Sequence, residues 1–397
     1  MSLLTSPITY DKEFSSALSA MRSAIRAGGG LPIAVNGLSG GAPTAFLSES
    51  IIALRGDGAP PSLIIERDAD MAEHRAAELQ SLGIKAAAFK PRALVFNKIS
   101  ASHDSERERL SVLSSLLRGE CEAVVTTLSA ALFKTLPREA LASRMISFSL
   151  GDTLSPRRLA ERLSDMGFQR VSSVDGAGQF AVRGGIVDFW ADVEKAPIRV
   201  EFFGDEIDRI TEFDPISQRS ASSLSSAGIL PAREVVADEG QRARLIEFIR
   251  REISRGNDAL SGDLLLLESD SQLLDIDKYL GVIYPEGECL LDYIGRGGAA
   301  FIVGTSESRE EYSRARKSLL SELDAVRDNS GLRLDISDFL AAETAFSEFS
   351  EGGAAVHINS FSGGVGTMRL GGLFGFRCRK TVSYGKNASM LLEDLRA

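Results

Sequence analysis

The chain is poor in the residues from which metal and redox centres are built. It has three cysteines, Cys121, Cys289 and Cys378, and three histidines, His74, His103 and His357, each far from the others in sequence. No CxxC pair occurs, so neither a zinc site nor a disulfide framework is expected, and a reducing compartment fits. Three scattered histidines give no basis for a Ser-His-Asp site either. No run of about 18 apolar residues is present, so no membrane-spanning helix is expected. Residues 1–11 lack a basic start followed by an apolar stretch, so a secretory signal is not expected and the cytoplasm is the expected location. Cations are in the minority, with 45 Lys and Arg against 55 Asp and Glu, a net charge of −10. That balance argues against bulk electrostatic binding of nucleic acid, while leaving room for a local basic face.

What the sequence does contain is an alternation of short apolar runs and helical patterns. Leu31–Val35, Ser62–Ile65, Ile84–Phe89, Ala123–Thr127 and Met145–Leu150 read as strands of a parallel sheet covered on both faces. Thr44–Leu54, Ala69–Leu82, Ser105–Leu117 and Ser129–Phe133 read as the helices between them. This rhythm implies a doubly wound α/β domain. It changes near residue 150. Ser155 and Pro156 fit an N-cap and first helical position, and Gly167 fits a helix stop. Strands Gln179–Phe189, Ile198–Phe203 and Glu206–Phe213 follow, with a serine-rich turn at Ser220–Ser226. The expected organisation is therefore residues 1–146 as the first part of an α/β domain, 147–235 as an antiparallel α+β insert, and 236–380 as the second part. In that second part, Arg242–Arg255 and Arg309–Val326 read as helices, and Leu264–Leu267 and Ala299–Val303 as strands. Residues 381–397 read as a linker and the start of a following helix, as in a chain cut at a domain boundary. Gly352 to Leu392 holds no acid and five basic residues, Arg369, Arg377, Arg379, Lys380 and Lys386. A terminal strand and a connection explain it better than a DNA contact does.

The first strand runs into Gly37-Leu38-Ser39-Gly40-Gly41-Ala42-Pro43-Thr44 and then a helix. A phosphate loop would read GxxxxGK[ST] here, with backbone N–H groups cradling phosphate and a lysine neutralising it. Gly37 and Thr44 stand in that pattern, but Ala42 replaces the second glycine and Pro43 the lysine. Proline supplies neither an N–H nor a charge. A plain strand–helix turn, an active nucleotide site and a decayed nucleotide loop on an NTPase-like fold are the three readings, and the third accounts best for the glycines. No carboxylate pair follows Phe301-Ile302-Val303, where only Glu307 is acidic, so Mg²⁺ also lacks its holder. No cofactor is expected.

In the insert, a period-two sort puts Phe180, Val182, Ile186 and Trp190 on one face and Arg183, Val187 and Phe189 on the other. It likewise separates Ile198, Val200 and Phe202 from Arg199, Glu201 and Phe203. A face mixing arginines with phenylalanines has the composition of a protein–protein hot spot, although coverage by a helix or by the neighbouring domain would explain the phenylalanines equally well. Leu154–Glu234 carries 10 basic and 13 acidic residues, which fits discrete protein contacts better than DNA binding.

These segments also carry a resemblance. GFQRV at 167–171, GQFAVRGGIVDF at 178–189, RVEFFGDEID at 199–208, FDP at 213–215 and ILPARE at 229–234 resemble the N-terminal part of the bacterial transcription-repair coupling factors (Mfd). That part is similar to UvrB, the excision-repair helicase subunit. The match is densest in the insert and collinear over nearly the whole chain. It implies a degenerate P-loop, RecA/helicase-like parallel-sheet domain split by an insert that binds UvrA, the damage-recognition ATPase. RNA polymerase and DNA would be met by other domains of the full-length protein, which is an ATP-dependent translocase. Carried over by motif, Arg170, Arg183 and Phe189 would be the UvrA contacts. A further arginine of UvrB-like chains is Ala181 here. The stretch Phe96–Asp104 leads directly into a helix, without UvrB's long aromatic hairpin. A truncated UvrB-type ATP-dependent helicase subunit is the alternative. The resemblance also implies that a C-terminal domain of the full-length protein masks the UvrA face.

Overall fold

The computed structural model describes residues 6–96, 104–191, 196–269, 271–359 and 368–378, with 389 and 392–393 besides. The hairpin-free passage expected at 96–104 lies almost wholly outside the described residues. So do most of the expected C-terminal helix start and much of the basic, glycine-rich stretch.

Seven parallel strands form the main sheet. Their spatial order is Gly372–Gly375, Ile33–Asn36, Ala354–Asn359, Ala299–Val303, Ser62–Glu66, Ala123–Thr127 and Ala86–Phe89. Each central strand is apolar at successive positions because both of its faces are covered. In Ser62–Glu66, Leu63 and Ile65 enter one core and Ile64 the other. Helices Lys12–Arg26, Ala42–Gly56 and Ala69–Ser81 cover the second core. Asp104–Leu117, Glu239–Ser254, Leu290–Ile294 and the long Thr305–Ser330 cover the first. Residues from both ends of the chain thus complete one sheet around the insert.

The insert is a six-stranded sheet in the order Ser220–Leu224, Glu206–Phe213, Ile198–Phe203, Ile186–Phe189, Gln179–Arg183 and Gln169–Arg170. All pairs are antiparallel except the last. Helix Pro156–Asp165 lies on one face. The Ser155 side chain accepts from the Arg158 N–H at its start, and Gly167, at φ 85°, follows its end. Leu159, Leu163 and Phe168 from this side meet Phe180, Val187, Phe189 and Val200 in a third core.

Three expectations need correction. Met145–Leu150 does not join the parallel sheet. Its residues Ile146–Ser149 pair antiparallel with Ser226–Ile229 in a separate ribbon, and burial alternates along it as in a one-sided strand. Leu264–Leu267 is helical, within Ser261–Glu268, because a four-residue apolar run does not distinguish the two states. The serine-rich stretch is no turn but two strands, Ser220–Leu224 and Ser226–Ile229.

Where the insert rejoins the parent domain, six charged side chains are buried together. The Arg109 Nε donates to Glu234 at 2.5 Å, and the Thr135 hydroxyl donates to the same carboxylate at 2.5 Å. Arg92 pairs with Asp277 at 2.9 Å, and Arg233 with Glu106 at 3.3 Å. Burial by itself would raise the Glu234 pKa, but Arg109 and Arg92 outweigh it and hold this carboxyl below its usual range. Glu106 goes the other way. Its burial, and then repulsion from Asp277, push its carboxyl up to about 7.

A carboxyl raised from 4.5 to about 7 binds its proton more tightly in the folded chain. Its stabilising contribution is complete below about pH 4.5 and is lost as pH rises through 7. Urea unfolding between pH 5 and 8 should therefore show stability falling by up to about 3 kcal/mol. In Glu106→Gln that fall should flatten; an unchanged slope would remove Glu106 as its source.

Candidate partner-binding face and nucleotide loop

The loop Gly37–Gly41 leaves the end of a central strand and enters helix Ala42–Gly56, with Pro43 in its first turn. Gly37 has φ 84°, and a Cβ there would lie 2.1 Å from the Phe376 carbonyl oxygen. The next strand crowds it, since the Phe376 N–H donates to the Asn36 carbonyl at 2.8 Å. This close approach requires glycine whether or not phosphate ever binds. Thr44 is buried and its hydroxyl is committed to its neighbours. It donates to Glu78 at 2.5 Å and accepts from Arg75. Arg75 also bonds Glu66, at the end of a central strand, and Glu78, each at 2.8 Å. Burial raises the Glu66 carboxyl, against the pull of Arg75. A guanidinium and two carboxylates thus occupy the threonine's surroundings. Sequence reading missed them because Glu66, Arg75 and Glu78 look like ordinary charged helix and strand-end positions. After the strand Ala299–Val303, Glu307 folds back over Gly304.

The insert separates the three residues nominated there. Gly184 and Gly185 form a two-residue hairpin turn, pairing Arg183 with Ile186 and Phe180 with Phe189. The period-two sort fails across that turn. Phe189 shares its face with Phe180, is 0% exposed, and packs beneath the helix in the third core. Arg183 faces the opposite way. Arg170 is exposed on the edge strand, in register with Phe180, and so starts from the helix-bearing face. Phe189 is therefore a core residue, and Arg170 and Arg183 do not share a patch.

The face that carries Arg183 has its own order. Asp188 is buried at its centre, in register with Arg199. It accepts from the Arg199 Nε at 2.7 Å and Nη2 at 2.9 Å, and also from Arg183. The Asp188 hydrogen bonds raise the Arg199 pKa further. Arg199 also lies over the Phe213 ring, 4.8 Å from its centroid. Val171, Val174, Ala181, Trp190 and Phe213 close one end of this face as a small apolar cluster. The other end is open. There Phe203 stands 83% exposed at the tip of the hairpin Ile198–Phe213, beside Glu201, which pairs with Arg209 at 3.8 Å. The sort within Ile198–Phe203 was right, since no turn interrupts that strand. An arginine anchored by a buried carboxylate, together with a bare phenyl ring, is suited to grip another protein.

A family model described as the UvrB interaction domain matches residues 146–235. This segment is similar to that domain. The chain is 30% identical over 275 residues to the transcription-repair-coupling factor of Bacillus subtilis (strain 168), a match covering 65% of this chain and 23% of that protein. The same-named protein of Myxococcus xanthus is 31% identical over 238 residues, covering 57% and 20%. UvrABC system protein B of Helicobacter hepaticus (strain ATCC 51449 / 3B1) is 30% identical over 285 residues, covering 62% and 43%. The chain spans less than half the length of each of these relatives. Together the matches ally it with the UvrB-homology modules of transcription-repair coupling factors, as its motifs suggest. The segment that matches the UvrB interaction domain is the insert, and its sheet faces become the places to look for a partner.

Proposed function

We propose that the chain is a docking module that brings UvrA to stalled transcription complexes and hydrolyses no ATP itself. The observation that carries this reading is the helix-free face of the insert. There Arg183, held by Asp188, stands on the same side of the sheet as the exposed Phe203. Phe189 supports that face from the core behind it, and Arg170 offers at most a separate contact at the sheet edge. The nucleotide loop supports the non-catalytic part of the reading. Pro43 takes the place of a phosphate-binding lysine, and Thr44, the residue that would meet Mg²⁺, is tied to Arg75 and Glu78. RNA polymerase and DNA would be engaged by other parts of the whole protein, in the cytoplasm.

The test is the affinity of purified UvrA for Arg183→Ala. Removing a central hot-spot arginine should weaken binding by about 2 kcal/mol, roughly 30-fold. Calorimetry on the folded variant reads it. Wild-type affinity for Arg183→Ala would contradict the placement of the interface.

A further inference from the structure

Gln218 is the one non-glycine residue with a positive φ, 59°, among the described residues. Glycine is the default at such a position, and a long side chain held there points to a role for the side chain. It closes the turn after Phe213, its N–H donating to the Asp214 carbonyl at 2.8 Å. Each remaining polar atom is then used on the face just described. The backbone carbonyl accepts from the Arg199 Nη1 at 3.1 Å, and Oε1 faces the Arg183 Nη2 at 3.4 Å. The amide nitrogen donates to the Pro215 carbonyl at 2.8 Å and to the Val174 carbonyl at 3.1 Å. Val174 belongs to the loop that closes the far end of the face. One residue therefore touches both guanidiniums that grip Asp188 and clips the covering loop to the turn.

We propose that Gln218 is a positioning residue: it presents Arg183 to the protein partner and needs the left-handed backbone to do so. Asp188 alone would leave Arg183, whose side chain is 47% exposed, free to swing about a single acceptor. Gln218 adds a second acceptor from the adjoining turn and so narrows the orientations in which the guanidinium points outward. Ordering a flexible side chain before the partner arrives reduces the entropy lost on binding. This inference rests on the reading of the Arg183 face as the UvrA-binding face.

Gln218→Gly tests it, because glycine adopts the same backbone without strain and removes only the side chain. The variant should stay folded, with a melting temperature lowered only modestly by the loss of the amide hydrogen bonds to Pro215 and Val174, while the UvrA dissociation constant rises about tenfold. In an Arg183→Ala background the same change should cost less than about twofold, since the arginine it positions is gone. Wild-type binding by Gln218→Gly, with Arg183→Ala still weakened, would overturn the inference and leave the interface reading intact. Equal losses in both backgrounds would also overturn it, by showing that Gln218 acts independently of Arg183. Wild-type binding by Arg183→Ala would instead remove the interface reading on which the inference stands.

Discussion

Glu234→Gln should destabilise the chain by about 3–5 kcal/mol, the loss expected when a buried ion pair is broken from one side. Arg109 is 0% exposed and lies over the Phe89 ring, 4.0 Å from its centroid. Its Nε bonds Glu234, and one further N–H bonds the Lys90 carbonyl at 2.7 Å. With the carboxylate neutralised, that guanidinium keeps its charge and has no water to turn to, while the amide offers one acceptor oxygen in place of two and sets an NH2 group against the donors that the second oxygen served, the Thr135 hydroxyl and the Arg109 Nη2. Arg92, whose own pKa is raised by Asp277, Glu234 and Glu106 against the effect of burial, loses a neighbour as well. Urea unfolding at pH 7 measures the effect. The exposed pair Arg157–Glu161 is the control, and its removal should leave the midpoint unchanged. A loss in Glu234→Gln no larger than the control's would mean that the cluster does not hold insert and parent domain together.

Phe189→Ala should cost about 3–5 kcal/mol of stability by opening a cavity between the sheet and helix Pro156–Asp165. The ring is fully buried and meets Phe148 edge-on, centroids 6.4 Å apart. Phe203→Ala, by contrast, should change stability by less than about 0.5 kcal/mol and yet weaken UvrA binding. The milder Phe189→Leu keeps most of the volume and should bind UvrA as the wild type does. Thermal melts beside binding curves separate the two phenylalanines. Loss of binding in a fully folded Phe189→Leu, with none in Phe203→Ala, would reverse the assignment.

The contrast shows what the sequence made legible. Ile198–Phe203 and Glu206–Phe213 were read with their observed bounds, because strong β-formers alternate there between clear turns. Parity failed at Gly184–Gly185. A two-residue turn pairs residues whose numbers sum to a constant, so an even residue before it shares a face with an odd one after it. Continuing the count through the turn puts Phe189 on the face of Arg183, in apparent agreement with the motif that nominates it. Much of the parallel sheet is legible from its apolar runs, since double coverage leaves few polar positions to confuse the pattern, although Met145–Leu150 does not belong to it. The ion cluster was not. Arg92, Glu106, Arg109, Arg233, Glu234 and Asp277 come from four separate segments, and charged residues read singly look solvated. Only the folded chain shows that they enclose one another. The same holds for Thr44, Arg75 and Glu66, where the altered loop motif was visible but the side chains gathered around it were not.

The proposal under test is that UvrA docks on the helix-free face of the insert. It is tested most directly by the affinity of purified UvrA for the Arg183→Ala/Phe203→Ala double variant, with its melting temperature measured alongside. A loss of at least about 100-fold is expected in a protein that melts as the wild type does. Binding within twofold of wild type, by a folded double variant, would contradict it.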